Sequence, residues 1–368
     1  MERKQFIKRL GELVNLQTLS GNIHENSKAL DLVEKWADAS LKKQRIKNGN
    51  AQILLLGNHN LLTPDFGYLV HMDVVAAQDE ILFAMRESGG KLYGRGVSDM
   101  KFAIPIGLEL LSALVKDHSQ TSLTMAITTD EEVGGGDGGR YLASELGFHP
   151  QVLIVPDGGD NFVLVNKSKG VAHLQALAVG KTAHASRPWE GKNALHLLVG
   201  LAGKLLESYD QNSLKENWET TVNLGVIEGG KSTNQVCEQA TMKMDFRFPE
   251  TRSVPEVLIE VKNLARRIGP SMEISLLASG DPTYTDTKHP EIVRYLKTAE
   301  AVLKTQVKVK GECGASDARY WAKDQIPIIV TKPMGGGIHS SEEWVDVDSC
   351  LVFYEILLKY LSDFSKRT

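Results

Sequence analysis

Apolar residues recur at helical spacing at the start of the chain, first as Phe6, Leu10, Leu13 and Val14, then as Leu30, Val33, Trp36 and Leu41, and predict helical structure there. Short unbroken apolar runs follow at Ile53 to Leu56, Gly67 to Met72, Leu123 to Thr128, Val152 to Val155 and Pro327 to Thr331, each the length of a buried strand. Between and after them lie longer periodic segments. Met100 to Val115 reads as an apolar helix with Pro105 near its first turns, Pro290 opens a helix to Lys304, and Leu351 to Phe364 closes the pattern as an amphipathic helix. Strands that are apolar on both faces and alternate with helices predict an α/β fold: a mostly parallel sheet with helices on both faces.

Near Gly170 the pattern changes. The order becomes strand 173–180, helix 192–207, strand 220–228, strand 239–248, helix 255–268, strand 272–279. This β-α-β-β-α-β order is the ferredoxin-like arrangement, a small α+β sandwich. The simplest topology is one α/β domain formed by 1–170 and 282–368 and interrupted by an inserted domain at 171–281.

Composition narrows the function. In 368 residues there are 42 basic and 46 acidic side chains, a formal net charge of −4, which argues against nucleic-acid or anionic-membrane partners. Cys237, Cys313 and Cys350 are far apart, with no CxxC pair, so neither a disulfide framework nor a thiolate zinc site is expected. The first residues, MERKQFIKRLGELVNL, are charged throughout, and no apolar run reaches the ~18 residues of a membrane span. A cytoplasmic protein without a signal peptide is the expectation.

Polar residues gather at the ends of the apolar strands, where α/β sheets build their ligand sites. One strand runs into His71-Met72-Asp73, a second into Asp130-Glu131-Glu132, a third into Pro156-Asp157, and a fourth leads through glycines to His339; Asp99 stands just before the Met100 helix. Singly, each has an ordinary reading as a turn, a helix N-cap or a solvated loop. Together they place two imidazoles and several carboxylates on one edge of one sheet. Such donors suit zinc, manganese or cobalt(II). The carboxylates are many for one zinc; two cations sharing a bridging carboxylate, ~3.5–4 Å apart, would neutralise them.

These residues carry a resemblance. HMDVV at 71–75, GRGVSDMK at 94–101, TTDEEVGG at 128–135, PDGG at 156–159, GKTAHASRPWEGKNA at 180–194, GASDARYW at 314–321 and GGGIHSSEEWV at 335–345 stand in the order found in a family of zinc-dependent exopeptidases and N-acyl-amino-acid deacylases. That family includes carboxypeptidase G, acetylornithine deacetylase and succinyl-diaminopimelate desuccinylase. The resemblance implies two zinc ions per subunit, with cobalt or manganese as substitutes. His71, Asp99 and Asp157 would hold one; Asp99, Glu132 and His339 the other, with Asp99 bridging. Asp73 would accept the second ring N–H of His71, and Glu131 would be the general base.

The inserted domain would be the family's lid and the seat of a homodimer. From it His184 would stabilise the oxyanion in the partner's active site, and Asn234 and Arg247 would bind a substrate with a free carboxylate. Read without the family, His184 is a surface histidine, and Arg247 forms a surface ion pair with Asp245 or Glu250. A cis peptide between Asp99 and Met100 is also implied. The sequence departs from the family pattern at Ala76-Ala77-Gln78, between Asp79 and Gly94, and at Cys237. These changes leave the expected ligands in place but unsettle any transfer of substrate.

The reading is therefore an enzyme: a metallopeptidase of small peptides such as a carboxypeptidase or dipeptidase, or alternatively an N-acyl-amino-acid deacylase. A catalytically silent binding protein on the same fold is the rival of another class. Loss of Glu131 or of a ligand would signal it, and none is lost. Neither GxxxxGK[ST] nor a GxGxxG following a strand occurs, against a nucleotide enzyme.

Overall fold

The structure is a computed structural model that describes residues 1–214 and 216–364. It divides into two compact units: Met1–Asn166, Thr285–Glu312 and the chain from Ser316 form one, Lys167–Tyr284 with Cys313–Ala315 the other.

The centre of the first unit is a run of four parallel strands. Leu123–Thr128, Phe66–His71, Val152–Val155 and Ile328–Val330 lie side by side in that order. Antiparallel strands flank them: Ala51–Gly57 pairs with Leu123–Thr128, and Lys42–Asn48 lies outside that. The sheet is thus mixed, parallel only in its middle. The Lys42–Asn48 edge strand, KKQRIKN, escapes an apolar-run criterion because most of its side chains face water. A polar, lysine-rich edge is one way to leave a sheet margin exposed without inviting aggregation.

Helices cover the two faces unequally. Arg3–Val14, Ile23–Trp36, Ala103–Lys116, Pro290–Leu303 and Val347–Ser362 pack on one face through Phe6, Leu30, Leu111, Tyr295 and Phe353. The other face is closed by short helical stretches at 139–146 and Asp317–Trp321, with Leu142, Phe148 and Trp321 against Leu69, Leu153 and Ile328. Pro105 is the third residue of its helix, inside the first turn where no amide partner is forfeited. A second, small antiparallel sheet links Arg86–Ser88, Lys91–Tyr93, Trp344–Asp346 and Gly335–Gly336.

In the second unit, strands Gly170–Val179, Thr221–Gly229, Gln239–Phe248 and Met272–Gly280 form one antiparallel sheet, with helices Ala194–Ser213 and Val254–Ile268 between them in sequence. Their spatial order, second, third, first, fourth, is that of a ferredoxin-like sheet. Alternation sets the faces. Ala172, Leu174, Ala176 and Ala178 point to a core with Leu198, Leu201, Val257 and Val261, while His173 and Val179 point away. Among the described residues no helix is long and apolar enough to cross a membrane.

Candidate metal centre

Strand register assembles the site. Tyr68 pairs with Ile154, so His71 and Asp157, each three residues further along parallel strands, emerge side by side. On the other flank His71 pairs with Thr128, and the chain beyond Thr128 turns through Asp130 into a single 3-10 turn, Glu131–Val133. Asp99 arrives on a tight turn between Gly96, whose φ is 82°, and the helix from Ala103; the Asp99–Met100 peptide is cis.

The Asp99 carboxylate lies between two histidines. One oxygen is 3.1 Å from Nε2 of His71, the other 3.1 Å from Nε2 of His339. His339 Nε2 is also 3.2 Å from Glu132. Donor atoms of Asp99, Glu132 and His339 all lie within 4.8 Å of one another, and so do those of His71, Glu131 and Asp157. Ligands held tetrahedrally at ~2 Å from one cation are themselves roughly 3.3 Å apart, so these spacings fit a metal as well as a hydrogen bond. The donor set, imidazole and carboxylate with acidic groups in excess, suits a metal.

That excess is visible in the protonation equilibria. Burial, and then the charge of Asp99, pushes Asp157 up to about 6 and Glu132 up to about 7. Burial and the nearby Asp157 push Glu131 well above the ordinary carboxylate range. His339 rises to about 8, chiefly through its hydrogen bond to Asp99. Without cations, these carboxylates cannot all ionise together at neutral pH. Two divalent ions would supply the missing charge, so the residues present fit the implied metals.

Asp73 is placed somewhat differently from the expectation. His71 Nδ1 is 2.9 Å from the main-chain carbonyl of Asp73, and the Asp73 carboxylate stands 3.6 Å away. That carboxylate instead accepts from the amides of Glu131 and Glu132, at 3.2 and 3.1 Å, and from the Ser20 hydroxyl at 2.6 Å. Asp73 therefore orients His71 through its carbonyl and the two glutamates through its side chain.

His184, Asn234 and Arg247 lie in the inserted unit. His184 and Asn234 share one loop cluster: the Ala185 amide donates to the Asn234 carbonyl, and His184 bridges Gln235. His184 is exposed, and its Nδ1 accepts the Ser186 amide at 3.2 Å and lies 2.8 Å from the Ser186 hydroxyl. An accepting Nδ1 carries no proton, so Nε2 is the N–H donor of the neutral ring. Arg247 is not with them. Its Nε and Nη2 grip Asp245 at 3.0 and 3.2 Å, the ion pair an ordinary surface arginine makes, and Glu250 takes Lys167 and Trp218 instead.

Sequence reasoning assigned no role to Asp317, Arg319, Lys332 or Glu343. Three of these stand inside quoted motifs, GASDARYW and GGGIHSSEEWV, which was the available signal. Asp317 is buried against the Glu131 turn so closely that a Cβ at Gly135, φ 60°, would lie 2.1 Å from its oxygen. Arg319 donates to the Gly134 carbonyl at 2.8 Å. Lys332, 3% exposed, lies two residues beyond the strand Ile328–Val330 that pairs with Val152–Val155, and forms an ion pair with Asp160 at 3.3 Å; no sequence pattern marks it.

Residues 67–363 match peptidase family M20/M25/M40. A succinyl-diaminopimelate desuccinylase of Acidiphilium cryptum (strain JF-5) is 26% identical over 311 residues, 80% of this chain and 81% of that protein. Among solved structures, a tripeptidase from Staphylococcus aureus superposes over the whole of both chains with TM-score 0.81 at 21% identity. An M20 family metallo-carboxypeptidase from Sulfolobus solfataricus does so with TM-score 0.82 at 16% identity. At these identities the two structures speak for the fold.

Proposed function

The chain belongs to peptidase family M20/M25/M40, and on that footing we propose that it is a co-catalytic dinuclear metallohydrolase cleaving an amide or peptide bond in a short peptide or N-acyl amino acid that bears a free carboxylate. The observation that carries this reading is the Asp99 carboxylate, with one oxygen facing each histidine.

His71, Asp99 and Asp157 would hold one cation, and Asp99, Glu132 and His339 the other. When bound, zinc, or cobalt or manganese in its place, supplies Lewis acidity toward the scissile carbonyl and toward water. The remaining steps fall to the chain. Glu131 takes a proton from the attacking water and delivers it to the departing nitrogen. Its backbone amide is fixed by Asp73, which holds the carboxylate beside His71 and Asp157. Asp73 fixes Glu132 by the neighbouring amide in the same way.

From the inserted unit, acting as a lid and as the seat of a homodimer, His184 offers its Nε2–H to the oxyanion in the partner's site. Ser186 holds the ring in that tautomer. Asn234 and Arg247 bind substrate, and Arg247 takes its free carboxylate. Arg247 does so with the edge of its guanidinium left open by Asp245, which suits a paired contact.

Peptidase and deacylase are two readings of one centre. The desuccinylase relative favours deacylation. A screen of dipeptides, tripeptides and N-acetyl and N-succinyl amino acids, against zinc- or cobalt-loaded protein, separates them. Turnover of an amide in either class is expected. Absence of turnover of every amide by protein shown to carry two ions would contradict the proposal.

A further inference from the structure

Glu343 is 2% exposed, and four donors converge on its carboxylate. One oxygen accepts from Arg95 Nη1 at 2.9 Å and from the Gly96 amide at 3.0 Å. The other accepts from the Ser98 amide at 2.9 Å and the Asp99 amide at 3.1 Å. Arg95 is nearly as buried, and its second nitrogen, Nη2, donates to the main-chain carbonyl of His339 at 3.3 Å. The Glu343 main chain joins in, its carbonyl accepting the Gly94 amide at 3.2 Å.

Each of these contacts has a plain local cause. The turn at 96–99 leaves amides that no helix or strand pairs, and buried amides must find acceptors. A buried carboxylate needs a buried cation, which Arg95 is. The consequence reaches further than the local need. The Asp99 carboxylate stands 3.1 Å from both His71 and His339, so its bearing on each depends on where the 96–99 turn places it, and His339 sits in a left-handed conformation, φ 62°, shortly after three glycines.

We propose that Glu343 is a positioning residue that locks the Asp99 turn and the His339 loop into one preformed half-site, Asp99 directly through its amide and His339 through Arg95. The inference rests on the reading of these residues as metal ligands. It assigns to Glu343 no contact with substrate.

Glu343→Gln tests it with the same side-chain shape. Because each oxygen already takes two donors, the amide group of glutamine must oppose two N–H groups whichever way it turns. Arg95→Lys, a second variant, keeps the charge against Glu343 but lacks the second nitrogen that reaches His339. It carries the test if Glu343→Gln does not fold. Metal-free wild type and variants are titrated with Zn2+ by calorimetry and with Co2+ by visible absorption. Wild type is expected to bind two ions. Both variants are expected to bind one ion more weakly than wild type, by about 10–100-fold for Glu343→Gln and less for Arg95→Lys, the usual cost of losing a partner that orients a ligand.

A merely structural role would lower the melting temperature of the metal-free protein and leave ion affinity and the cobalt spectrum unmoved. Folded variants that bind two ions as tightly as a wild type that also binds two overturn the clamp alone. A wild type that takes up no second ion overturns the metal reading, and the clamp falls with it.

Discussion

Glu131 and Glu132 are neighbours that the 3-10 turn sends to different tasks. Glu132 meets His339 at 3.2 Å, whereas Glu131 joins His71 and Asp157. Glu131→Gln is expected to keep its metal and lose turnover by about 10²–10⁴-fold, the span of one general base. Glu132→Gln is expected to weaken one of the two ions. Metal analysis beside kcat distinguishes them, and wild-type turnover in Glu131→Gln would place the base elsewhere. At this scale the sequence was readable where a residue's chemistry was rare: two histidines and a few carboxylates at strand ends. It was opaque where the partner is main chain. That Asp73 holds two glutamate amides, and Glu343 three amides of the Asp99 turn, depends on backbone paths no motif spells out.

Strands and helices were legible in proportion to their burial. Leu123–Thr128 and Val152–Val155 are apolar on both faces and stood out as such. Lys42–Asn48 is polar because it lies at an edge, and the three-residue strands of the small sheet are too short to show a period. The inserted unit was readable in full order because its alternating strands and its two helices bury one face each. Both of its edge strands carry bulges, at Leu224/Val226 and Leu276/Ala278, which restrain indiscriminate edge pairing. A specific twofold pairing through this unit is the arrangement proposed here. Then His184→Ala should lose rate by about 10²–10³, with metal content unchanged. Mixing it with Glu131→Gln should restore activity in heterodimers, where one composite site holds both intact residues. A fully active monomer, or no rescue in confirmed heterodimers, would reject the arrangement in trans.

Over the whole molecule the metal centre is an electrostatic debt that shows in stability. In metal-free protein Glu132 and Asp157 hold protons up to about 7 and about 6, above their unfolded values near 4. A raised carboxylate contributes stability at low pH and loses it as pH rises toward the folded value. His339, raised to about 8, acts in the same direction, its contribution present in acid and lost as pH climbs. The melting temperature contributed by this centre in metal-free protein should therefore fall between roughly pH 5 and pH 7, and the gain on adding zinc should widen over the same interval. Differential scanning calorimetry with and without zinc measures both. A zinc-induced gain that shrinks toward neutral pH would contradict the charge accounting.

The dinuclear centre itself is tested most directly by anomalous scattering from crystals of the zinc-loaded protein. The account predicts two zinc peaks roughly 3.5–4 Å apart, one between His71 and Asp157, the other between Glu132 and His339, with the Asp99 carboxylate spanning them. A single peak at these donors, or none in protein saturated with zinc, would contradict it.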